Sequence, residues 1–209
     1  MDTIPKIWEN EYVKTAIMVI LLIAVVFGFW YGSQLVLNTQ YPALAVASGS
    51  MCTLPGSYCD GWSHPFSRTL HLGDLIIVQG VDPEEIKAAP EPDGDIIVFH
   101  QPLGGNDLIV HRAIKKEIGS HSEIYFTTKG DGNTGPDSVP VPGDQVVGKV
   151  ILRIPWIGHI ALFLHNSSGI FIIIILIVIL VIVEFVIPIF SSEKAEVDSG
   201  EKSEKIGET

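Results

Sequence analysis

The chain has 209 residues, a formal net charge of −11 and a mean hydropathy of +0.37. A length of this order predicts one domain, and the positive mean hydropathy indicates membrane segments beside it. The acidic balance argues against nucleic acid as a partner, because phosphate binding needs a basic surface.

The first element is an uncharged apolar run over residues 16–37. As a helix, its roughly 22 residues extend about 33 Å, which is enough to cross the hydrocarbon core of a bilayer. We therefore predict a cytoplasmic lead at residues 1–14 and a transmembrane helix at residues 15–37. A cleaved signal peptide is the alternative, because an Ala-x-Ala cleavage pattern begins at Ala43, but the hydrophobic region of a signal peptide is shorter than this run.

The orientation of this helix follows from the basic residues on either side of it. Lys6 and Lys14 precede the apolar run, and no further Lys or Arg occurs until Arg68. Because short basic segments stay on the cytoplasmic side, residues 38 onward are predicted to lie outside.

Residues 38–165 are predicted to form an extracytoplasmic, β-rich domain. Short apolar or alternating stretches that are separated by Gly, Pro and Asp are typical of strands. These stretches are residues 75–78, 96–99, 108–114, 124–128 and 145–154. In the last stretch, strict alternation predicts that Lys149 and Arg153 lie on the face opposite Val150.

A second long apolar run follows the β-rich domain. Residues 154–164 are apolar but too short to span, so we expect an interfacial or core segment there. Residues 169–190 are predicted to be the second transmembrane helix, although Glu184 lies within a turn or two of its end. Residues 191–209 then form an acidic cytoplasmic tail, whose composition predicts disorder.

The stretch Ser48-Gly49-Ser50-Met51 offers a candidate nucleophile just beyond the first helix. A serine hydroxyl needs a base within hydrogen-bond reach, and the base needs a group that fixes its tautomer. His111, with Asp131 or Asp137, could supply these groups, and spacing alone leaves open which aspartate does so. The ordinary alternatives are a core histidine and a Gly/Asp-rich turn. A calcium loop is a weak alternative, because no Glu stands at its twelfth position.

Five motifs in order resemble the sequence boxes of type I signal peptidases, peptidase family S26. The resemblance covers roughly residues 40–155 and includes the preceding anchor. The motifs are Ser48-Gly49-Ser50-Met51, Gly73-Asp74, Gly94-Asp95-Ile96-Ile97-Val98, His111-Arg112 and Lys129-Gly130-Asp131-Gly132-Asn133. A histidine before the arginine, where the bacterial branch has lysine, is the pattern of the archaeal and endoplasmic-reticulum branch. Residues 55–68 depart from the family pattern and resemble an insertion.

The resemblance implies a signal-peptidase-like β fold and assigns roles to individual residues. Ser50 would be the nucleophile and His111 the general base, with Asp131 and Asp137 both implicated in orienting it. The Ser48 hydroxyl and the Ser50 backbone N–H would form the oxyanion hole. The implied activity is a membrane-bound serine endopeptidase that removes signal peptides and uses no metal or other cofactor.

The resemblance also implies partners and a location. The substrates would be preprotein signal peptides with small residues at the first and third positions before the cut, and the other partners would be membrane lipid and the protein-secretion translocon. We expect a multi-pass protein of the cell membrane with an extracytoplasmic site, or of the endoplasmic reticulum with a lumenal site. The long C-terminal apolar run and acidic tail favour an archaeal source. The alternative function is a non-catalytic, membrane-anchored β-domain subunit of a secretion or processing complex.

Both cysteines of the chain lie in the segment that is predicted to be outside. Disulfides persist in such compartments, so Cys52 and Cys59 are predicted to pair and to close a small loop beside Ser50. A zinc site that adds His64 and His71 is the alternative, but the spacing fits no familiar zinc motif.

Overall fold

A computed structural model describes residues 11–105 and 107–182 of the chain. Contacts divide the described residues into two compact units, with the boundary between His159 and Ile160. Most of the predicted cytoplasmic lead, the end of the predicted second transmembrane helix and the whole acidic tail lie outside the described residues.

The first unit begins with helix α1, Glu11–Leu37. Its apolar side chains are exposed around the helix, from Met18 at 65% to Val36 at 80%. Over Val13–Leu37 it is long and apolar enough to cross a membrane. An apolar helix is therefore present where the sequence predicts the first anchor.

The rest of this unit is a seven-stranded antiparallel sheet, which confirms the β-rich prediction. The strands are β1 (Ala43–Ala45), β2 (Leu75–Gln79), β3 (Ile96–His100), β4 (Leu108–Ile118), β5 (Ile124–Lys129), β6 (Val141–Pro142) and β7 (Val146–Ile154). Their spatial order is β1-β2-β7-β3-β4-β5-β6. β7 returns from the end of the domain and pairs between β2 and β3, so it closes the middle of the sheet.

Hydrophobic side chains cover both faces of this sheet. Because side chains alternate along a strand, adjacent residues of β3 pack into two different hydrophobic clusters, one on each face of the sheet. Val98 packs in a cluster with Met51, and Ile97 packs in a cluster with Phe126 on the other face. Met51 is 2% exposed, so the residue that follows Ser50 is anchored in the core.

The prediction of strict alternation in β7 is wrong. The register shifts opposite Ile77/Val78 and opposite Val98/Phe99, and each shift leaves one extra residue on β7. A bulge of this kind changes which face the following residues occupy. As a result, Leu152 is 54% exposed, and Arg153 turns inward to Asp74 with its side chain 17% exposed.

Two helices follow the sheet, α2 (Ile157–His165) and α3 (Ser167–Val181). The helix α2 lies in the short apolar segment for which the sequence predicts an interfacial or core position. Together with the first part of α3, and across a sharp bend, it has the length and composition of a second membrane-crossing segment. The described part of α3 ends well before residue 190.

Candidate active site

Ser50 lies in a tight turn between the sheet and residues 130–140, the loop between β5 and β6 that is named the catalytic loop here. The Cys52 N–H donates to the Gly49 carbonyl oxygen over 3.0 Å and closes the turn. The Gly132 N–H donates to the Ser50 carbonyl oxygen over 2.9 Å. The backbone of Ser50 is thus fixed by two contacts. The side chain of the next residue, Met51, is buried in the core, and the catalytic loop binds the Ser50 carbonyl oxygen.

His111 lies on β4 opposite Ile97 of β3, and it is 8% exposed. Its Nε2 atom is 3.1 Å from Ser50 Oγ, and its Nδ1 atom is 2.6 Å from Asp137 Oδ2. A carboxylate can only accept here, so Nδ1 carries the proton and Nε2 presents its lone pair to the serine hydroxyl. This is the arrangement in which a neutral imidazole can remove a proton from serine.

Thr128 is a further member of this group, and sequence reasoning missed it. Its Oγ1 hydroxyl donates to Asp137 Oδ2 over 2.6 Å, and its carbonyl oxygen accepts from the Asp137 N–H over 2.8 Å. Thr128 has no exposed surface. A threonine in a β-strand is ordinary, but its place just before the Gly/Asp-rich loop is the signal that could have singled it out.

The second predicted aspartate, Asp131, contacts Arg112 rather than His111. Arg112 Nε donates to Asp131 Oδ1 over 2.8 Å, and Nη2 donates to Oδ2 over 2.5 Å. The same guanidinium donates to the carbonyl oxygens of Gly94 and Pro92. The hydrogen bond to Asp131 is the largest cause that raises the pKa of Arg112 above its usual value.

Ser48 lies beside the candidate nucleophile, with its Oγ atom 3.3 Å from Ser50 Oγ. Among the hydrogen bonds of the described residues, none uses the Ser50 backbone N–H. A hydroxyl and a free backbone N–H at this place are the donor types that an oxyanion hole requires.

Two glycines let the turn and the catalytic loop approach each other. A Cβ atom at Gly130 would lie 2.5 Å from the Ser50 carbonyl oxygen and 2.9 Å from His111 Nε2. A Cβ atom at Gly132 would lie 2.3 Å from the Cys52 carbonyl oxygen. Both positions therefore require glycine for a steric reason, and the Lys129-Gly130-Asp131-Gly132 motif already marks them in the sequence.

The structure pairs Cys52 with Cys59 in a disulfide, with Cα atoms 5.8 Å apart. This bond uses both thiols that the zinc alternative would need. His71 is instead buried beside Asp74. Within residues 11–105 and 107–182, no group of three or more His, Cys, Asp or Glu side chains is arranged to hold a metal ion.

A cavity of about 320 Å³ opens beside the candidate site, lined by His111 and Asp137 together with the apolar side chains of Phe99, Leu103 and Ile109. It lies where β4 has an unpaired side. Residues 108–111 pair with β3, whereas the pairing of β4 with β5 begins only at Arg112. Within the described residues, the candidate site therefore combines the Ser50–His111 pair with a stretch of β4 that has a partner strand on one side only.

No protein-family model matches the chain. Among known proteins, it is similar to the signal peptidase complex catalytic subunit SEC11 of Colletotrichum graminicola, with 29% identity over 151 residues that cover 69% of this chain and 76% of the relative. The subunit of the same name from Tuber melanosporum is 26% identical over 155 residues, covering 69% and 74%. Subunit SEC11C of Homo sapiens is 28% identical over 145 residues, covering 66% and 64%. These relatives are fungal and human, so they give no support to the predicted archaeal source.

Proposed function

We propose that this chain, a homologue of the SEC11 signal peptidase catalytic subunits, is a membrane-bound serine endopeptidase that removes N-terminal signal peptides from preproteins. The observation that carries the proposal is the position of His111, whose two ring nitrogens lie within hydrogen-bond distance of Ser50 and Asp137. A binding subunit has no need of this constellation, whereas acyl transfer depends on it.

The first half of the proposed reaction forms an acyl-enzyme. Ser50 Oγ attacks the carbonyl carbon of the scissile peptide bond while His111 Nε2 takes the hydroxyl proton. The Ser48 hydroxyl and the Ser50 N–H donate to the oxyanion of the tetrahedral intermediate. Loss of one such donor typically costs about 10² to 10³ in rate. The C–N bond then breaks as His111 gives its proton to the leaving amine, which is the new N-terminus of the mature protein.

The second half returns the enzyme to its starting state. His111 removes a proton from a water molecule, which attacks the acyl carbon, and the proton passes to Ser50 Oγ as the ester bond breaks. Asp137, itself held by Thr128, keeps the imidazole in one tautomer and stabilises its cationic form. In this proposal Asp131 supports the site by fixing Arg112 and the catalytic loop.

The unpaired side of β4 supports binding of an extended substrate. A peptide that adds to a free strand gains main-chain hydrogen bonds, and its alternate side chains point the same way. The first and third residues before the cut would therefore face the protein together. Small residues at these two positions fit such close backbone pairing.

We further propose that the chain crosses the membrane twice, at residues 15–37 and 169–190, with residues 38–165 outside and both termini cytoplasmic. Ser50 follows Leu37 by 13 residues, so it lies within about 45 Å of the end of α1 even if the connection is fully extended. A signal peptide held in the same bilayer would meet the site at a raised effective concentration. The proposed partners are thus preproteins, membrane lipid and the secretion translocon, in the cell membrane or the endoplasmic reticulum.

Cleavage of a model preprotein by membranes that carry the chain tests this function. We expect the wild-type chain to release a mature protein whose N-terminus, read by mass spectrometry, lies after a small residue. Ser50→Ala and His111→Ala should each abolish the cut while the chain stays folded. Normal cleavage by Ser50→Ala would overturn the proposal and would favour a non-catalytic subunit.

A further inference from the structure

Thr69 joins the segment that follows Ser50 to the end of the 55–68 insertion. The Thr69 Oγ1 hydroxyl donates to the Met51 carbonyl oxygen over 2.5 Å, and Thr69 Oγ1 itself accepts from the Thr53 N–H over 3.1 Å. Thr69 is 7% exposed. One buried hydroxyl therefore holds two backbone groups that flank Cys52, immediately after the candidate nucleophile.

A second set of contacts fixes Thr69 itself. The guanidinium of Arg153, on β7, donates to the carbonyl oxygens of Thr69 and Pro65. Arg153 Nη1 lies 3.3 Å from Asp74 Oδ2, and that carboxylate, 1% exposed, also accepts from the His71 N–H over 2.7 Å. Thr69 is thus fastened to the central strands of the sheet rather than to a free loop.

We propose that Thr69 is a positioning residue for the reaction assigned to Ser50, and this inference rests on the proposed function. The turn that holds Ser50 is bound on one side by Gly132, which donates to the Ser50 carbonyl oxygen. Thr69 supplies the contact on the other side, one residue further along the chain. Both contacts are needed to keep Ser50 Oγ within reach of His111 Nε2.

This role gives the end of the insertion a function in catalysis. The nucleophile turn comprises residues 49–52. The segment from Thr53 to Thr69 leaves this turn and returns to it, because the Thr69 hydroxyl donates to the Met51 carbonyl oxygen. A displacement of about 1 Å at a reacting group can cost about 100-fold in rate. Removing the hydroxyl should therefore lower the rate of the chemical step, although none of the hydrogen bonds found for Thr69 within the described residues goes to Ser50 or His111.

The test compares Thr69→Val with Thr69→Ser in the full-length chain, purified in detergent and supplied with a signal-peptide substrate. Valine keeps the shape of threonine and removes the hydroxyl, whereas serine keeps the hydroxyl. We expect Thr69→Val to lower kcat by about 10- to 100-fold with KM unchanged, and Thr69→Ser to restore most of the activity. The pH dependence of kcat/KM should keep its shape, because His111 and Asp137 are untouched.

Ser67→Ala is the matched control in the same segment. Ser67 Oγ lies 3.3 Å from His71 Nε2, and no hydrogen bond found among the described residues joins it to Met51 or Thr53. Its removal should leave kcat unchanged, and the Tm of each variant shows whether it is folded during the assay. The inference is overturned if Thr69→Val turns over at the wild-type rate, or if Ser67→Ala loses as much activity at an equal Tm. A wild-type chain that cleaves nothing would overturn the proposed function as well.

Discussion

His111 Nδ1 and Asp137 Oδ2 are separated by 2.6 Å, and Thr128 donates to the same carboxylate oxygen. This relationship predicts that Asp137→Asn lowers kcat by about 10² to 10⁴, because an amide can donate to Nδ1 and hold the imidazole in the wrong tautomer. Steady-state cleavage of a signal-peptide substrate measures the loss. Circular dichroism should show the wild-type fold, since the amide keeps the size of the carboxylate.

Asp131→Asn is predicted to act on stability instead of on the chemical step. The side chains of Asp131 and Arg112 are 5% and 7% exposed, so the variant leaves a buried guanidinium without its counter-charge. Breaking a buried ion pair from one side costs about 3 to 5 kcal/mol of the free energy of unfolding. Urea unfolding measures this cost. A stable Asp131→Asn chain with the kinetic defect of Asp137→Asn would show that the two roles are exchanged.

The sequence could reveal the first helix, most strands and the candidate pair Ser50 and His111, because each lies in a local pattern or motif. It could not tell which aspartate serves His111. That choice follows from the faces of β4: His111 and Arg112 are neighbours and therefore point to opposite sides. The loop that follows β5 passes both sides, so Asp131 pairs with Arg112 and Asp137 pairs with His111.

Sequence patterns also failed at contacts that depend on long-range register. The bulges in β7 place Arg153 on the same face as Val150 rather than on the opposite face, and there it meets Thr69. A periodic pattern cannot show such an insertion, because the partner strands determine where the extra residue lies. The hydroxyls of Thr69 and Thr128 were missed for a related reason: each bonds a group that is brought near it by the tertiary fold.

His71 predicts a pH dependence of stability. Burial is the largest cause that lowers the pKa of His71 from 6.5, and Asp74 opposes the shift only in part. Because the folded chain then binds fewer protons than the unfolded chain, this stabilisation is complete above pH 6.5 and is lost as the pH falls through the folded-state pKa. We expect the stability difference between the wild type and His71→Gln to shrink when urea unfolding is measured at about pH 5.5 rather than 7.5.

The Cys52–Cys59 disulfide closes a short loop, with a sequence separation of 7. Constraining a loop of this length in the unfolded chain contributes about 2 to 3 kcal/mol. The double variant Cys52→Ala, Cys59→Ala should therefore unfold at a lower urea concentration than the wild type. A reducing agent should lower the wild-type midpoint and leave that of the double variant unchanged. Equal midpoints for the oxidised wild type and the double variant would contradict the prediction.

Gly130 gives a steric test of the contact between the nucleophile turn and the catalytic loop. The β-carbon of Gly130→Ala would lie 2.5 Å from the Ser50 carbonyl oxygen and 2.9 Å from His111 Nε2. The Ser50 carbonyl oxygen belongs to the backbone, which cannot move aside as the end of a flexible side chain can. We expect at least a 100-fold loss of kcat, because Ser50 and His111 must separate to admit the methyl group. Gly135→Ala is the control in the same loop, since a Cβ atom there meets nothing within 4 Å. If both variants cleave the substrate at the wild-type rate, Ser50 and His111 do not form the closely packed pair that the reaction requires.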